Sequence, residues 1–402
     1  VSPTVFEAAS AISTKPTAEQ AAEECVAQVA QAGISTPTFA LVHANCALPL
    51  QDIGRVLRDH WPGVRLHAAT SCLGGMTDAG IAMVNGTGLA LLAISDHAGE
   101  YGVAAGEFID GARTTGDRLA RQALENAGRA GEIPALVLVC ATPGHEEEFL
   151  AGVRAVVGPE TQIVGGSAAD NDITGGWRVL MNETAGDRGA VVSALFPSVS
   201  VTTAFQSGYA PTELRGTVTR AAGRRIFEID HQRAADKYAQ WTEGAVRPPA
   251  TGAMNILMAS ALTPLGRKAG FLGDMPLYTL SHPETISADG SLTLFTNVAA
   301  GDELVLMKAT PATLVSRASG VVRSASRIGD IDPSRVSAMV MYYCGGCMLQ
   351  IRNRLPEIRD SLVCELPGVP MVVGFTFGEQ GSLSLGPVQH GNLMISSIVF
   401  GR

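Results

Sequence analysis

The feature that most constrains the fold is a recurring order of elements: strand, helix, strand, glycine-rich turn, hairpin. Three stretches of roughly 60 residues follow it, and repetition of one supersecondary unit implies packing by pseudo-symmetry. In the first, residues 39–43 read as a short apolar strand, Leu50–His60 as a helix ending at Trp61-Pro62-Gly63, and 64–70 as a second strand. Ser71-Cys72-Leu73-Gly74-Gly75 is the turn, and 81–84 with 89–95 form a hairpin around Asn85-Gly86, a dipeptide suited to tight turns. In the second, 135–140 is the strand, Glu146–Val157 the helix, and 163–164 enters Gly165-Gly166-Ser167-Ala168-Ala169-Asp170. Residues 177–181 and 189–196 are its hairpin. In the third, 338–343 is the strand, 349–362 a helix interrupted near Pro356, and 369–373 leads into Gly374-Phe375-Thr376-Phe377-Gly378-Glu379. Residues 382–385 and 393–400 close it.

Outside the repeats, 17–32 has the apolar spacing of an amphipathic helix. Residues 201–209, 216–220, 291–295 and 303–307 read as strands, and 234–241 and 311–325 as helices, Pro311 being tolerated in a first turn. The charged, proline-rich Arg247-Pro248-Pro249 is the best linker candidate, after which 255–259 opens a second half. The expected division is 1–37 as an N-terminal helix and extension, 38–246 as one domain and 247–402 as another.

Composition narrows the function class. The 402 residues carry 29 basic and 38 acidic side chains, hence a net charge of −9, with 46% hydrophobic residues. That excludes a disordered chain. Without a basic stripe it argues against nucleic acid or an anionic membrane as partner. No apolar run reaches the roughly 20 residues of a membrane span. Residues 1–13 show no basic n-region and no long apolar stretch, so no secretory leader is expected. Seven cysteines spread over a long chain do not read as a disulfide scaffold and point to a reducing cytoplasm.

If the three units share a fold, their strand ends converge, and ligands in α/β folds sit beyond strand C-termini. Cys46, Cys72, Cys344 and Cys347 would then line one pocket with Ser71, Ser167, Asp170 and Thr376. Turn positions make those four thiols candidate catalytic groups, whereas Cys25, Cys140 and Cys364 read as core, the usual place of an unpaired cysteine. Cys344-Gly345-Gly346-Cys347 is one Cys-x-x-Cys pair, and a zinc site commonly needs two. Copper(I) on soft thiolates, redox use with a thiol pKa lowered by the helix after Cys347, or nucleophilic use beside a base all stay open. Glu379 is the nearest carboxylate of the third unit, or else a cap of its turn. Asp170-Asn171-Asp172 is either a cation site or a solvated turn. Of eight histidines, His43 and His390 are the better axial-ligand candidates for haem, His67 reads as a core histidine, and His60, His97, His145, His231 and His282 read as solvated. Neither a Walker loop nor a dinucleotide Gly-x-Gly-x-x-Gly follows a first strand.

The order of several segments resembles the FIST family of two-part bacterial proteins. The segments are Val164 to Asp170 before a hairpin; Thr263-Pro264-Leu265-Gly266, followed by the Asp289-Gly290 turn and Ser291-Leu292; and Val298 to Met307. With them go a strand ending at Cys344 before an Arg-bearing helix, and Gly374 to Glu379 with His390-Gly391-Asn392 downstream. The resemblance covers roughly residues 38 to 400. It implies an α/β protein of repeated strand-helix-strand-hairpin units, with two FIST-like halves around a central pocket. It also implies a sensory role in which a small molecule is bound and a signal passed on. NosP-type members look like haem proteins that sense nitric oxide and control a partner histidine kinase, so haem and a histidine kinase are the cofactor and partner the resemblance implies. The rival readings are a cysteine-dependent enzyme acting on a small molecule and a thiolate metal-binding protein.

Overall fold

A computed structural model describes residues 6–83, 86–272, 274–383 and 386–402. The expected turn residue Asn85 and positions 384–385 of the third unit lie outside them. The chain forms a mixed α/β fold with four sheets. Three of these are six-stranded and share one plan. Each centres on a parallel pair: Phe39–Ala44 with Arg65–Thr70, Leu136–Ala141 with Ile163–Gly166, and Val336–Cys344 with Met371–Thr376. The first member of each pair is buried along its whole length. Such strands need cover on both faces, which accounts for their unbroken apolar runs. Each pair is bridged by helix: Leu50–His60, Glu146–Val157, and in the third unit Gly345–Gln350 followed by Leu355–Glu365. The third break falls at Ile351–Arg354 rather than at Pro356, which occupies the first turn of the later helix, where its missing N–H costs nothing.

The hairpins are not hairpins. In each unit the two expected arms join different sheets. Leu89–Ser95 returns to its own unit and pairs with Phe39–Ala44. The preceding ribbon, Gly75–Thr77 and Ile81–Ala82, instead pairs with Met371–Thr376 of the third unit. Val179–Met181 of the second unit joins Arg65–Thr70 of the first. Glu379–Ser382 of the third joins Ile163–Gly166 of the second. Each unit thus lends a two-stranded ribbon to a neighbour, and the loans close into a ring. The reason lies in burial: LALLAIS and GAVVSALF are apolar on both faces and belong in sheet interiors, while the short ribbons can serve as edges.

The sheets turn one face inward, onto a common core that includes Leu41, Leu92, Leu138, Val340 and Phe400. Their outer faces carry separate helix-covered cores: the first around Ile53 and Leu57 with helix Ala18–Gln31, the second around Leu119 and Phe149, the third around Val321 and Ile358. Truncating one of the central residues to alanine removes contacts worth about 2–5 kcal/mol. Helix Ala18–Gln31 begins where Thr17 accepts the Gln20 N–H, as its sequence suggests. Strand Glu7–Ser13, which the sequence does not announce, edges the first sheet against Leu89–Ser95.

Between strand Ser200–Ser207 and helix Pro311–Ile328 the chain departs to build a nine-stranded sheet from Ala210–Ala222 through Glu303–Lys308, with its own core around Tyr238, Trp241 and Ile286. Arg247-Pro248-Pro249 is a loop inside this span. Among the described residues no helix is long and apolar enough to cross a membrane.

Candidate functional site

The turns that follow the second strand of each pair do meet. Three backbone hydrogen bonds join them in a cycle: Ala169 N–H to Thr70 C=O (3.0 Å), Cys72 N–H to Phe375 C=O (2.8 Å) and Phe377 N–H to Ser167 C=O (3.2 Å). The hydroxyl and carboxyl groups expected there are occupied in holding this junction. Ser71 Oγ accepts the Phe375 N–H at 2.8 Å and donates to the Gly74 carbonyl. Asp170 is fully buried and accepts from the N–H groups of Ile173, Thr174, Gly175 and Gly176 at 2.6–2.9 Å. It is neither a solvated turn residue nor a free cation ligand. Thr376 donates to Glu379 Oε1 (2.8 Å), and Met394 N–H to Oε2 (3.0 Å). Burial, with the Cys344 thiol alongside, holds the Glu379 carboxyl well above its ordinary range.

The four thiols lie near this junction but not in one pocket. Cys46 is half-buried, Cys72 and Cys347 are buried, and only Cys344 reaches the cavity described below. Burial, with Asp170 and Cys344 nearby, pushes the Cys72 thiol up to about 12. Burial and the adjoining Cys347 push Cys344 well up, and burial also raises Cys46. The helix expected after Cys347 in fact starts at Gly345, with Cys344 as its N-cap, and Cys347 lies 3.5 Å from the Tyr209 hydroxyl. A thiol attacks as thiolate, so burial here works against the nucleophilic reading. Among the described residues no group of three or more His, Cys, Asp or Glu is arranged to hold a metal ion.

His43 is buried between sheets, edge-on to Tyr342 at 5.5 Å, with both ring nitrogens unpartnered; burial lowers it to about 4. His67 is the core histidine expected, its Nδ1 2.7 Å from Ser193 Oγ. His390 belongs to a buried polar chain. Gln380 Nε2 donates to His390 Nδ1 (3.1 Å) and to Ser167 Oγ (3.2 Å), and Ser167 donates to Glu146 Oε1 (2.9 Å). Glu146 Oε2 receives Arg224 Nη2 (2.7 Å) and the Gly144 N–H (3.0 Å). Burial alone would raise the Glu146 carboxyl, but His390, Arg224 and these donors outweigh it and bring it down to about 2.

Arg224 and Glu146 open onto a cavity of about 640 Å³. It lies beside the junction, where the second and third units meet the nine-stranded sheet. Trp177, Phe377 and Phe295 supply aromatic wall, Trp177 and Phe377 meeting edge to face at 6.4 Å. Glu284 and His282 supply polar wall. His282 is 5% exposed, not solvated: its Nε2 donates to the Leu257 carbonyl (2.9 Å), and burial lowers it to about 4. The sequence concealed these wall residues. Glu146 opens the run Glu146-Glu147-Glu148, which reads as a solvated first turn favoured by the helix dipole, and Arg224 sits in a glycine turn distant in the chain.

A FIST N domain matches residues 38–232 and a FIST C domain residues 234–382. The cavity takes its walls from both matched spans. No curated protein sequence matches the chain. Among solved structures, the chain is similar to the crystal structure of cyanuric acid hydrolase from A. caulinodans, with a TM-score of 0.40, 9% identity, and 99% of this chain and 100% of that chain covered.

Proposed function

The chain belongs to the FIST family, whose domains bind small ligands in signal transduction, and from that premise we propose that its ligand occupies the cavity between the FIST N and FIST C spans. The observation that carries this reading is the wall itself: an apolar, aromatic enclosure of about 640 Å³ with a few converging polar groups, bounded by both matched domains. Such an enclosure is the usual form of a small-molecule site. A ligand touching both spans favours the arrangement that brings them together, and a partner can read that shift. Arg224 is the natural relay. It reaches from the nine-stranded sheet to Glu146 and Glu147 of the second unit (2.7 and 2.8 Å), and Glu146 continues into the Ser167–Gln380–His390 chain of the strand-end junction.

His43 and His390 lie off the cavity, and His282 stands on its wall. Its Nε2 donates to the Leu257 carbonyl, which leaves Nδ1 as the nitrogen with the lone pair, so His282 is the histidine that would hold a haem there, and a Soret band on reconstitution tests for one. The partner implied by the resemblance, a histidine kinase, is tested by whether ligand-loaded protein alters kinase autophosphorylation. Seven unpaired cysteines suit a reducing compartment, and we place the protein in the cytoplasm on that ground.

The experiment is extraction of small molecules from purified protein, beside a Leu349→Trp variant that fills the cavity from helix Gly345–Gln350. The wild type is expected to yield a stoichiometric compound and the variant to lose it while melting at a similar temperature. A compound retained by Leu349→Trp overturns the placement.

A further inference from the structure

The ionised groups of the cavity are unevenly matched, and this bears on the ligand's charge; the inference rests on the reading that the cavity is the ligand site. Among the described residues Arg224 is the one arginine on the wall, and it is already paired. Its Nη2 lies between Glu146 Oε2 and Glu147 Oε2, so one guanidinium faces two carboxylates. Both carboxylates have further donors, Ser167 and Gly144 for Glu146, and the Asn297 N–H (2.7 Å) for Glu147. Glu284 differs. It stands half-buried on strand Pro283–Ser287 and faces the cavity. Among the described residues no N–H or O–H donates to its carboxylate, and no basic side chain lies within ion-pair distance. Burial raises its carboxyl, only partly offset by Arg224. Asp172, exposed, adds a further carboxylate to the wall, and among the described residues it accepts only from Thr174 Oγ1 (2.7 Å). The wall therefore carries Arg224 against Glu146, Glu284 and Asp172: one positive charge, three negative.

A partly desolvated carboxylate without a partner is a standing free-energy cost that a bound cation removes. The aromatic wall suits the body of the same guest, since Trp177 and Phe377 offer it apolar surface. We propose that the cavity takes a small organic cation, a protonated amine on an apolar or aromatic body, with the ammonium N–H groups donating to Glu284 and the body lying against Trp177 and Phe377. An anionic ligand of the same size would meet the excess of carboxylates, and the already paired Arg224 would do little to offset it.

The test is titration calorimetry at neutral pH with three probes of matched body: phenethylamine as cation, 2-phenylethanol as neutral, 3-phenylpropionate as anion. Each is run on the wild type, on Glu284→Gln and on Leu349→Trp, after removal of copurified compound. The amine is expected to bind about tenfold or more tighter than the alcohol, with the anion weakest, a spread of the size charge complementarity gives. Glu284→Gln should remove the preference for the amine while melting at a similar temperature to the wild type, which separates a lost charge from a lost fold. Equal affinities for all three, a preference for the propionate, an amine unaffected by Glu284→Gln, or an amine that does not bind each overturns the assignment. Equal binding that disappears in Leu349→Trp overturns the charge of the ligand while keeping its place; binding that survives Leu349→Trp defeats the place itself.

Discussion

At the scale of single residues, burial holds several titratable groups of the interior neutral. His43 and His282 are lowered to about 4 and His67 to about 3, by burial in each case. In the unfolded chain each takes a proton near 6.5. Between those values the unfolded state binds more protons than the folded one, so stability is complete above about pH 6.5 and falls as pH drops toward 4 and 3, by about 1.4 kcal/mol per pH unit per histidine. Urea midpoints measured across that range should show the fall. His282→Gln, whose amide can still reach the Leu257 carbonyl, should lessen its slope by about 1.4 kcal/mol per pH unit, the contribution of one histidine. An unchanged slope would mean that His282 titrates normally. Glu379 works in the opposite sense. Its folded carboxyl is held high, so the unfolded state loses its proton first and stability is lost as pH rises above the ordinary carboxylate value. Glu379→Gln can hold both neighbours in a neutral group, its Oε1 accepting the Met394 N–H and its Nε2 donating to the Thr376 hydroxyl. It should match the wild type at acidic pH and exceed it in thermal midpoint at neutral and alkaline pH. A variant less stable throughout would show that the carboxylate, not the acid, is the native form. The same burial governs the thiols: iodoacetamide at neutral pH should label exposed Cys364 before Cys72 or Cys344, and rapid labelling of Cys344 would revive a nucleophilic role.

At the scale of elements, what was legible follows from what local periodicity encodes. Helices Leu50–His60, Glu146–Val157 and Ala234–Trp241 stand where their apolar spacing puts them, because a helix satisfies its own backbone and shows its buried face in its own residues. Helix Ala112–Asn126 carries no such signal at its start: its first turn, Ala-Arg-Thr-Thr, has no acidic residue, and Gly111 offers no capping side chain. Strands were found but their partners were not. Alternation tells which side chains share a face, not which chain segment lies alongside. Hence the sequence pairs 81–84 with the neighbouring arm at 89–95, whereas Ile81–Ala82 pairs with Gly75–Thr77, and that ribbon joins Met371–Thr376, almost three hundred residues away. The candidate site was legible in the same proportion. Convergence of Ser71, Ser167 and Thr376 was readable from the repeat. The cavity was not, because it depends on how the inserted sheet docks against Glu146 and Cys344.

At the scale of the molecule, the ring of lent ribbons decides how it unfolds. The first unit's sheet is completed by Val179–Met181, the second's by Glu379–Ser382 and the third's by Gly75–Thr77. No sheet is made from one unit, and all three share the inward core of Leu41, Leu138 and Val340. Unfolding one unit would strip an edge strand from a second sheet and bare backbone groups that must otherwise be bonded. The three units should therefore open together. Native-state hydrogen exchange in low urea measures this directly: amides of Val42, Val139 and Val340, one from each sheet, should exchange with a common opening free energy and a common dependence on urea, while amides of the nine-stranded sheet, which has its own core, are free to open earlier. Deleting residues 379–402 carries the argument further. It removes Met394–Gly401 from the third sheet, and also Glu379–Ser382 from the second, so protection should fall at Ile163–Gly166 although that strand is more than two hundred residues from the cut. Protection lost only within the third unit would mean that the lent ribbons decorate sheets already stable without them.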